Sequence, residues 1–276
     1  MRILILGATG FLGSNVIRLA LEDENINIFG SSRFPNQYSN ILQVDVTNRE
    51  SIRIAIKEIN PAVVIWSLMN FEEESHLMNV GLKNVLSELT NDTKFIFLST
   101  DGVFIDGRGN YTENDPIGTL PKEAPLAEYV NGKYIGENFI RQSYSNHVIL
   151  RTGPLYGDNS NQTIEKRTLK MIEKIKVNKP IDAWEDVFRT FVNVNDLSSS
   201  ILELSKMKFN GTLHVGPKNI ESYYTFFNKR LMQLGWDNNL LSPTKISKEE
   251  FTYLAIDTSL DTSKSQQWLR TKFRSV

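Results

Sequence analysis

A glycine-rich turn separates the first apolar run of the chain from its first helical pattern. The run Arg2–Leu6 is short and apolar and predicts a buried strand, and the pattern Phe11–Leu21 predicts a helix. Between them, glycines at positions 7, 10 and 13 allow a tight turn, a close approach to a pyrophosphate and close packing of helix on strand. The free N–H groups at the helix start favour phosphates. This order predicts a dinucleotide-binding fold; a purely structural glycine turn is the alternative.

Short apolar runs and helical patterns continue to alternate up to residue 150. The further strands predicted there are Ile26–Gly30, Ile41–Val44, Ala62–Trp66, Lys94–Leu98 and His147–Leu150. The further helices predicted there are Ser51–Ile59, His76–Leu89 and Ala127–Arg141. The fourth strand is continuously apolar, which is typical of a strand covered on both faces. The pattern predicts an α/β fold with a doubly wound parallel sheet of the Rossmann type.

The second half of the chain is less regular. The elements predicted there are a basic amphipathic helix Ile164–Val177, a strand Phe191–Val194, a helix Asn195–Lys206, a strand Thr212–Val215, and the helices Glu221–Leu234 and Ser263–Leu269. Long loops are expected at Arg33–Asn40 and Asp106–Pro125. We therefore expect a nucleotide-binding domain of residues 1–152 plus about 190–217. A smaller, mostly C-terminal substrate-binding lobe would comprise about 153–189 plus 218–276.

Composition narrows the classes of function. Lys and Arg number 31 against 32 Asp and Glu, so the net charge of −1 provides no general attraction to nucleic acid or to anionic membranes. The absence of cysteine excludes disulfides, thiolate zinc sites and cysteine nucleophiles, and with only three His we expect no metal. The first apolar run ends at Gly7, too short for a signal peptide or a span, so we expect a cytoplasmic protein that does not enter membranes.

The residues after the second strand indicate which dinucleotide is bound. An NAD site usually has an acidic residue there that binds the ribose 2′-hydroxyl, whereas this chain has Ser31, Ser32 and Arg33 and no acid between Glu24 and Asp45. Two hydroxyls and a guanidinium suit a 2′-phosphate, which favours NADPH and leaves NADH as an alternative. A solvated surface arginine is the other interpretation. Asp45, after the third strand, is expected to accept a hydrogen bond from the adenine amino group or to cap a helix.

A threonine, a tyrosine and a lysine form the candidate catalytic group. Tyr129 and Lys133 are four residues apart on a predicted helix and so share a face, and Thr100 follows the fifth strand at the edge where α/β sheets build their sites. At about 4 Å, a lysine charge would stabilise a phenolate by roughly 4 kcal/mol. We therefore expect Lys133 to lower the pKa of Tyr129 by about three units. For the pair alone, an ordinary surface helix pair is the alternative.

At this point the chain resembles the extended short-chain dehydrogenase/reductase family, and within it the dTDP-4-dehydrorhamnose reductase group. The motifs that carry the resemblance are Gly7–Gly13, Asp45–Thr47, Asn79, Leu98–Asp101, Pro125-Leu126 before Tyr129, Gly132-Lys133, Gly136-Glu137, Leu150–Thr152, Tyr156-Gly157, and Arg189–Val192 with Asp196. By this resemblance Thr100, Tyr129 and Lys133 are the catalytic residues. Thr100 would also bind substrate, and Arg189 would contact the nucleotide or its phosphates, with a structural ion pair as the alternative.

The predicted cofactor-binding residues combine the glycine turn, the corner after the second strand and the catalytic helix. They are Gly7, Thr9, Gly10, Phe11, Leu12, Gly13, Ser31, Ser32, Arg33, Asp45, Val46, Ser67, Tyr129 and Lys133.

Three features depart from the family pattern. Gly102 stands where the reductases usually have a tyrosine and where related dehydratases have a glutamate base, so dehydration is disfavoured. Bulky Leu68 and Met69 follow the fourth strand where relatives have small alanines, and Ile117–Ala124 reads as extra loop before the catalytic helix.

The resemblance implies NADPH-dependent reduction of a 4-keto-6-deoxy nucleotide sugar in deoxysugar and polysaccharide biosynthesis. Two alternatives remain, a nucleotide-sugar 4-epimerase and a non-catalytic NADP-binding regulatory subunit. The expected ligand is a nucleotide-diphosphate sugar, whose phosphates Lys166, Arg167 and Lys170 would complement together with Arg189 unless the first three form only a solvated face. A homodimer stays open.

Overall fold

The structure, a computed structural model, describes residues 1–158, 163–247 and 252–276. Strands in the described part are β1 (Arg2–Leu6), β2 (Asn27–Ser32), β3 (Ile41–Gln43), β4 (Val63–Trp66), β5 (Lys94–Thr100), β6 (His147–Thr152), β7 (Leu155–Tyr156), β8 (Ile181–Trp184), β9 (Phe188–Arg189), β10 (Val192–Asn193), β11 (Gly211–Val215), β12 (Glu221–Ser222) and β13 (Leu241–Thr244). Seven of them form one parallel sheet in the order β11-β6-β5-β4-β1-β2-β3. The predicted doubly wound α/β fold is confirmed.

The helices flank this sheet on both sides. In the described part they are α1 (Phe11–Ala20), α2 (Arg49–Ile59), α3 (Glu74–His76), α4 (Lys83–Glu88), α5 (Ala127–Ser143), α6 (Lys166–Lys176), α7 (Val194–Lys206), α8 (Tyr223–Gln233) and α9 (Ser263–Trp268). A π-helical segment, Leu77–Leu82, joins α3 to α4, and a 3₁₀ turn, Asp101–Val103, follows β5.

Alternation along β1 shows why the helices lie on both faces. Ile3 and Ile5 belong to the core that includes apolar residues of α1 and α7, whereas Leu4 and Leu6 belong to the core that includes those of α2, α4 and α5. All four side chains are fully buried. Because successive strand residues point to opposite faces, a strand buried on both sides must be apolar throughout.

A third, smaller core lies outside the sheet. It includes Ile172 of α6, Phe226 and Leu231 of α8, and Ile181 and Leu241 of the parallel pair β8 and β13. All of these residues come after position 150, in the part assigned to the substrate-binding lobe. The proposed division of the chain into two domains itself remains a prediction.

The boundaries differ from the sequence-based prediction where local hydrogen bonds intervene. The helix expected from Glu221 begins at Tyr223, because Glu221 and Ser222 pair with β9 and the Ser222 hydroxyl accepts a hydrogen bond from the backbone N–H of Thr225. The fifth strand extends two residues further than predicted, to Thr100. The single helix predicted over His76–Leu89 is replaced by α3, the π-helical segment and α4.

The carboxyl ends of the parallel strands meet at one edge of the sheet. In the parallel register Leu6 lies opposite Trp66, and Thr100 lies opposite Thr152. The segments that follow β1, β4 and β5 therefore emerge side by side at the carboxyl edge, which is where open α/β sheets bind ligands.

Helix α1 can cross the end of β1 only because position 13 has no side chain. A Cβ atom on Gly13 would lie 2.1 Å from the carbonyl oxygen of Gly7. We expect Gly13→Ala to lower the free energy of unfolding by about 3 kcal/mol or more, since the clash is with backbone that cannot turn aside. Urea unfolding followed by circular dichroism measures this loss.

Gly10→Ala is the matched control for this substitution. Its Cβ would lie 3.3 Å from the same oxygen, and its backbone φ of −74° suits any residue. We expect a loss of only about 1 kcal/mol, the usual cost of alanine at a helix N-cap. Equal losses for the two variants would contradict this account of the turn.

Candidate active site

The glycine turn forms an open backbone cradle at the start of α1. Gly7 has a φ of +93°, in the region that favours glycine, and its carbonyl oxygen accepts a hydrogen bond from the Gly10 N–H at 3.1 Å. Gly10 is the N-cap of α1, has no capping side chain, and is exposed together with Thr9. An exposed helix N-terminus without side chains is the arrangement that dinucleotide pyrophosphates require, so the turn fits the predicted cofactor.

Other predicted cofactor residues support this turn rather than line it. The Ser67 hydroxyl donates to the carbonyl oxygens of Leu6 at 2.8 Å and Gly7 at 3.3 Å, which ties the end of β4 to the turn. Leu12 and Val46 are buried in the two sheet cores, whereas Phe11 is only partly buried. The roles of these residues in binding a cofactor remain predictions.

The corner after β2 presents the exposed side chain of Arg33. Its guanidinium lies 4.9 Å from the centre of the Phe34 ring, and no acidic partner pairs with it among the described residues. Ser32 accepts a hydrogen bond from the Phe34 N–H, and the buried Ser31 accepts one at its carbonyl oxygen from the Ala8 N–H. Arg33 is therefore available to a phosphate beside the glycine turn.

Asp45 is organised by its own neighbours. Its Oδ1 accepts hydrogen bonds from the Thr47 N–H at 2.9 Å and from the Thr47 hydroxyl at 2.7 Å. The cap of α2 is Asn48 and not Asp45, so the helix-cap alternative does not apply. Both of these bonds use Oδ1, and an adenine contact remains a prediction.

The structure brings the three candidate catalytic residues together. Thr100 ends β5, and Tyr129 and Lys133 lie one turn apart on α5. The Thr100 hydroxyl donates to Asp101 Oδ1 at 3.2 Å and accepts from the Gly102 N–H at 3.1 Å. The Lys133 ammonium lies 5.8 Å from the centre of the Tyr129 ring. The ring of Phe71, an exposed residue, lies 5.1 Å from that of Tyr129. This grouping lies at the carboxyl edge of the sheet.

A buried glutamate that the sequence analysis missed lies beside the lysine. Lys133 is buried, donates a hydrogen bond to the Leu68 carbonyl oxygen at 3.1 Å, and lies 2.9 Å from Oε1 of Glu74, which is completely buried. The run Glu72–Glu74 resembles an exposed acidic helix start, so nothing in the local sequence marks its third member as buried.

The expected lowering of the pKa of Tyr129 is wrong for this structure. Burial raises the pKa of Tyr129, the negative charges of Glu74 and Asp101 raise it further, and only the hydrogen bond with Thr100 opposes them. The physical reasons are that burial disfavours the phenolate and that Glu74 pairs with the lysine charge on which the expectation relied. The phenol consequently keeps its proton at neutral pH.

Asp101 and Arg189 form a second buried pair close to Thr100. Arg189 Nε lies 3.8 Å from Asp101 Oδ2, which also accepts a hydrogen bond from the Thr258 hydroxyl at 2.6 Å. Burial raises the pKa of Asp101 and Arg189 opposes this shift. The Arg189 guanidinium also donates to the carbonyl oxygens of Phe188, Ala255 and Ile256. These bonds agree with the structural alternative for Arg189, and its contact with a nucleotide stays a prediction.

The three basic residues of α6 do not act as one group. Lys166 and Lys170 are exposed, whereas Nη1 of Arg167 is buried without a hydrogen-bond partner among the described atoms. The Arg167 guanidinium lies about equally far from two aromatic rings, 5.9 Å from the centre of Phe191 and 6.0 Å from that of Tyr223. Of the three, only Arg167 packs against aromatic rings and has a buried N–H donor without a partner among the described atoms.

Features that depart from the family pattern lie against the catalytic helix. A Cβ atom on Gly102 would lie 3.1 Å from the Val130 side chain, so a larger residue there would need α5 to yield. The extra loop Ile117–Ala124 is tied to α5 by two hydrogen bonds between the Asn131 side chain and the backbone of Leu120. This loop is thus anchored one turn or less from the candidate catalytic residues.

A buried network of charged side chains anchors α5 one turn after Lys133. Arg151 of β6 donates to Glu137 of α5 from Nε at 3.0 Å and from Nη2 at 2.8 Å. Arg151 Nη1 also lies 3.3 Å from His214 Nε2, and His214 Nδ1 lies 3.0 Å from the Tyr111 carbonyl oxygen. Because arginine can only donate, Nε2 accepts and Nδ1–H donates, which identifies a neutral histidine.

Among the residues that the structure describes, no helix is long and apolar enough to span a membrane. The same residues contain no cluster of three or more His, Cys, Asp or Glu side chains arranged to hold a metal ion.

Comparison with known proteins identifies the class to which this fold and site belong. The family described as RmlD substrate binding domain matches residues 1–274. The chain therefore belongs to this family, within the extended short-chain dehydrogenases/reductases, and the expected class of NAD(P)-dependent oxidoreductases is confirmed.

Individual relatives are distant but cover most of the chain. It is 27% identical to a probable dTDP-4,6-dihydroxy-2-methyloxan-3-one 4-ketoreductase of Streptomyces antibioticus, over 88% of this chain and 81% of that one. It is 26% identical to methionine adenosyltransferase 2 subunit beta of Rattus norvegicus, over 77% of this chain and 66% of that one. A dTDP-4-dehydrorhamnose reductase of Bacillus anthracis, solved in complex with NADP, has the same fold, with a TM-score of 0.78 at 23% identity over 99% of this chain and 94% of that one.

The buried histidine makes stability depend on pH. Burial lowers the pKa of His214 from about 6.5 to about 4, so between these values the unfolded chain binds a proton that the folded protein does not. Stability is therefore lost as the pH falls from 6.5 towards 4, by roughly 3 kcal/mol from this group. We expect urea unfolding of His214→Gln to show a flatter pH dependence in this range. The exposed His76 provides the control, and the same slope for His214→Gln and His76→Gln would refute the assignment.

Proposed function

We propose that the protein uses NADPH to reduce the C4 ketone of a 4-keto-6-deoxy nucleotide sugar, a step of deoxysugar biosynthesis. The observation that carries this proposal is the placement of Thr100 at the end of β5 and of Tyr129 and Lys133 on α5, beside the glycine turn at the carboxyl edge of the sheet. A hydroxyl pair at this position can bind a carbonyl oxygen and give it a proton. The names of the relatives, among them a probable 4-ketoreductase, support the same class of substrate.

The cofactor would lie across the glycine turn. The exposed backbone of Thr9 and Gly10 would meet the pyrophosphate, and Arg33 with Ser32 would bind the 2′-phosphate. When bound, NADPH supplies the hydride for the reduction. Lys133 and Tyr129 would contact it from α5, as the family resemblance implies.

The protonated phenol suits a reductive reaction. As the carbonyl carbon is reduced, negative charge develops on its oxygen, and the Tyr129 phenol, which is protonated at neutral pH, can donate its proton to that oxygen. Thr100 would orient the same oxygen by a second hydrogen bond. Gly102 provides no carboxylate in the position where related dehydratases have a base, which disfavours elimination.

The substrate diphosphate would be bound by Arg167. Its Nη1 is buried without a hydrogen-bond partner among the residues that the structure describes, and a buried donor left unsatisfied costs about 1–3 kcal/mol. An anionic oxygen of the nucleotide would satisfy it. Lys166 and Lys170, which are exposed, would contribute only weakly through solvent.

One alternative is supported by a specific observation. The similarity to methionine adenosyltransferase 2 subunit beta favours a regulatory subunit that binds NADP without turnover. Both Tyr129 and Lys133 are present here, which favours an enzyme. A 4-epimerase that retains its cofactor is disfavoured by Arg33 and the two serines before it.

The central test is turnover by a variant without the phenol. We expect Tyr129→Phe to reduce the rate of NADPH oxidation with a 4-keto-6-deoxy nucleotide sugar by about 10²–10⁴, because the phenol is the acid that the proposal assigns to the substrate oxygen. Tyr134→Phe, on the same helix and partly exposed, is the control and should retain activity. Near-full activity of Tyr129→Phe would exclude this mechanism. Tight NADPH binding without oxidation by the unmodified protein would favour the regulatory subunit.

Cofactor choice is expected to depend on Arg33. Loss of a charge-assisted contact with the 2′-phosphate costs roughly 1.5–3 kcal/mol, so Arg33→Asp should weaken NADPH binding by about ten- to a hundredfold. NADH lacks this phosphate and serves as the internal control, since its affinity should not fall. Fluorescence titration of both cofactors measures the effect. Equal affinities of the unmodified protein for NADPH and NADH would contradict the assignment.

A further inference from the structure

Glu74 is a buried carboxylate of the site that has no role in the proposed reaction. Its side chain has no exposed surface, and its Oε2 accepts a hydrogen bond from the Asn70 N–H. Its Oε1 faces the Lys133 ammonium at 2.9 Å, without the angle of a regular hydrogen bond to any donor in the described part of the chain. An ionised carboxylate this deeply buried requires a compensating charge, and Lys133 supplies it.

The packing of α3 against α5 places this carboxylate next to Lys133. A Cβ atom on Gly132 would lie between 2.5 and 2.7 Å from atoms of Glu74, so the glycine before Lys133 makes room for the glutamate. The start of α3 is also tied to α5, because the Ser75 N–H donates to the Glu128 carboxylate at 2.7 Å. Glu74 therefore has little freedom to move away from the lysine.

We propose that Glu74 is a positioning residue whose carboxylate holds the Lys133 ammonium, balances its charge, and so keeps Tyr129 in the protonated form that can donate to a substrate oxygen. This inference rests on the proposed function and names how the same site is tuned. It assigns Lys133 a smaller electrostatic effect on the phenol than a lone lysine would have.

The charges around the phenol agree with this role. The carboxylates that act on Tyr129 are Glu74 from α3 and Asp101 from the turn after β5, which is itself paired with Arg189. The Lys133 ammonium lies 5.8 Å from the centre of the Tyr129 ring. Both carboxylates raise the pKa of Tyr129. Removing the charge of Glu74 would take away one repulsion on the phenolate and would leave the Lys133 charge unopposed. Both effects favour the phenolate.

The test is a spectroscopic titration of Tyr129 in the cofactor-free, full-length protein. Tyrosinate absorbance is followed from neutral pH to about pH 11, and the signal of Tyr129 is obtained by subtracting the curve of the matching Tyr129→Phe variant. We expect no Tyr129 phenolate in the unmodified protein over this range. In Glu74→Gln, which keeps the size of the side chain, we expect the Tyr129 phenolate to form within this range.

Two further variants make the result specific. Glu73→Gln removes a neighbouring exposed charge and should leave the titration unchanged. Glu74→Asp keeps the charge and should titrate like the unmodified protein. A Glu74→Gln curve that coincides with that of the unmodified protein would overturn the inference.

A double-substitution cycle covers the case in which Glu74→Gln folds but is not stable enough for titration to alkaline pH. Glu74→Gln, Lys133→Met and their combination are compared by urea unfolding. Because each single change leaves one buried charge unpaired, we expect the combined variant to be more stable than the sum of the single losses predicts. Additive losses would overturn the inference.

These readouts also separate the inference from the proposed function. The titration and the unfolding cycle use neither substrate nor cofactor, so a shifted titration without ketone reduction would reject the proposed function alone. Where reduction is observed, the alkaline limb of the kcat profile should move to lower pH by at least one unit in Glu74→Gln. An unmoved limb would overturn the inference while the reductase assignment stands.

Discussion

The close approach of α1 to the end of β1 is the constraint on which the rest of the site depends. With no side chain at Gly13, the helix passes directly over the Gly7 carbonyl, and its exposed N-terminus comes to lie at the carboxyl edge of the sheet. The same edge receives the ends of β4 and β5 in parallel register. The hydroxyl of Ser67 then joins the end of β4 to the turn. A cofactor cradle and the candidate catalytic threonine thus follow from one backbone contact.

Buried charges organise the catalytic helix in opposite pairs. Lys133 faces Glu74 and, one turn later, Glu137 faces Arg151, so ion pairs hold two successive turns of the helix. Such pairs contribute little net stability, but removal of one member leaves a costly unpaired charge. They therefore restrict where α5 can sit, and with it Tyr129. Arg167 differs because, within the described part of the chain, its buried Nη1 has no hydrogen-bond partner.

Features that depend on residues close together in the sequence could be predicted, whereas features that depend on contacts between distant residues could not. The glycine spacing and the apolar runs are local, so the sheet and the cradle were predictable, and Tyr129 and Lys133 were recognisable from their separation of four residues together with Thr100 after a strand. Glu74 was not predictable, because its burial depends on α3 packing against the glycine at position 132. For the same reason the sign of the pKa shift of Tyr129 was wrong. The pairing of β8 with β13 was also not predicted, because four-residue strands are too short to show a periodic pattern and the two lie far apart in the sequence.

The measurement that tests the central claim most directly is the fate of the transferred hydrogen. The protein would be incubated with NADPH deuterated at the transferable position and a 4-keto-6-deoxy nucleotide sugar, and the product analysed by NMR and mass spectrometry. The account predicts a single deuterium on C4 of the reduced sugar and stoichiometric oxidation of the cofactor. A product without deuterium, or a sugar inverted at C4 without net oxidation of the cofactor, would contradict it.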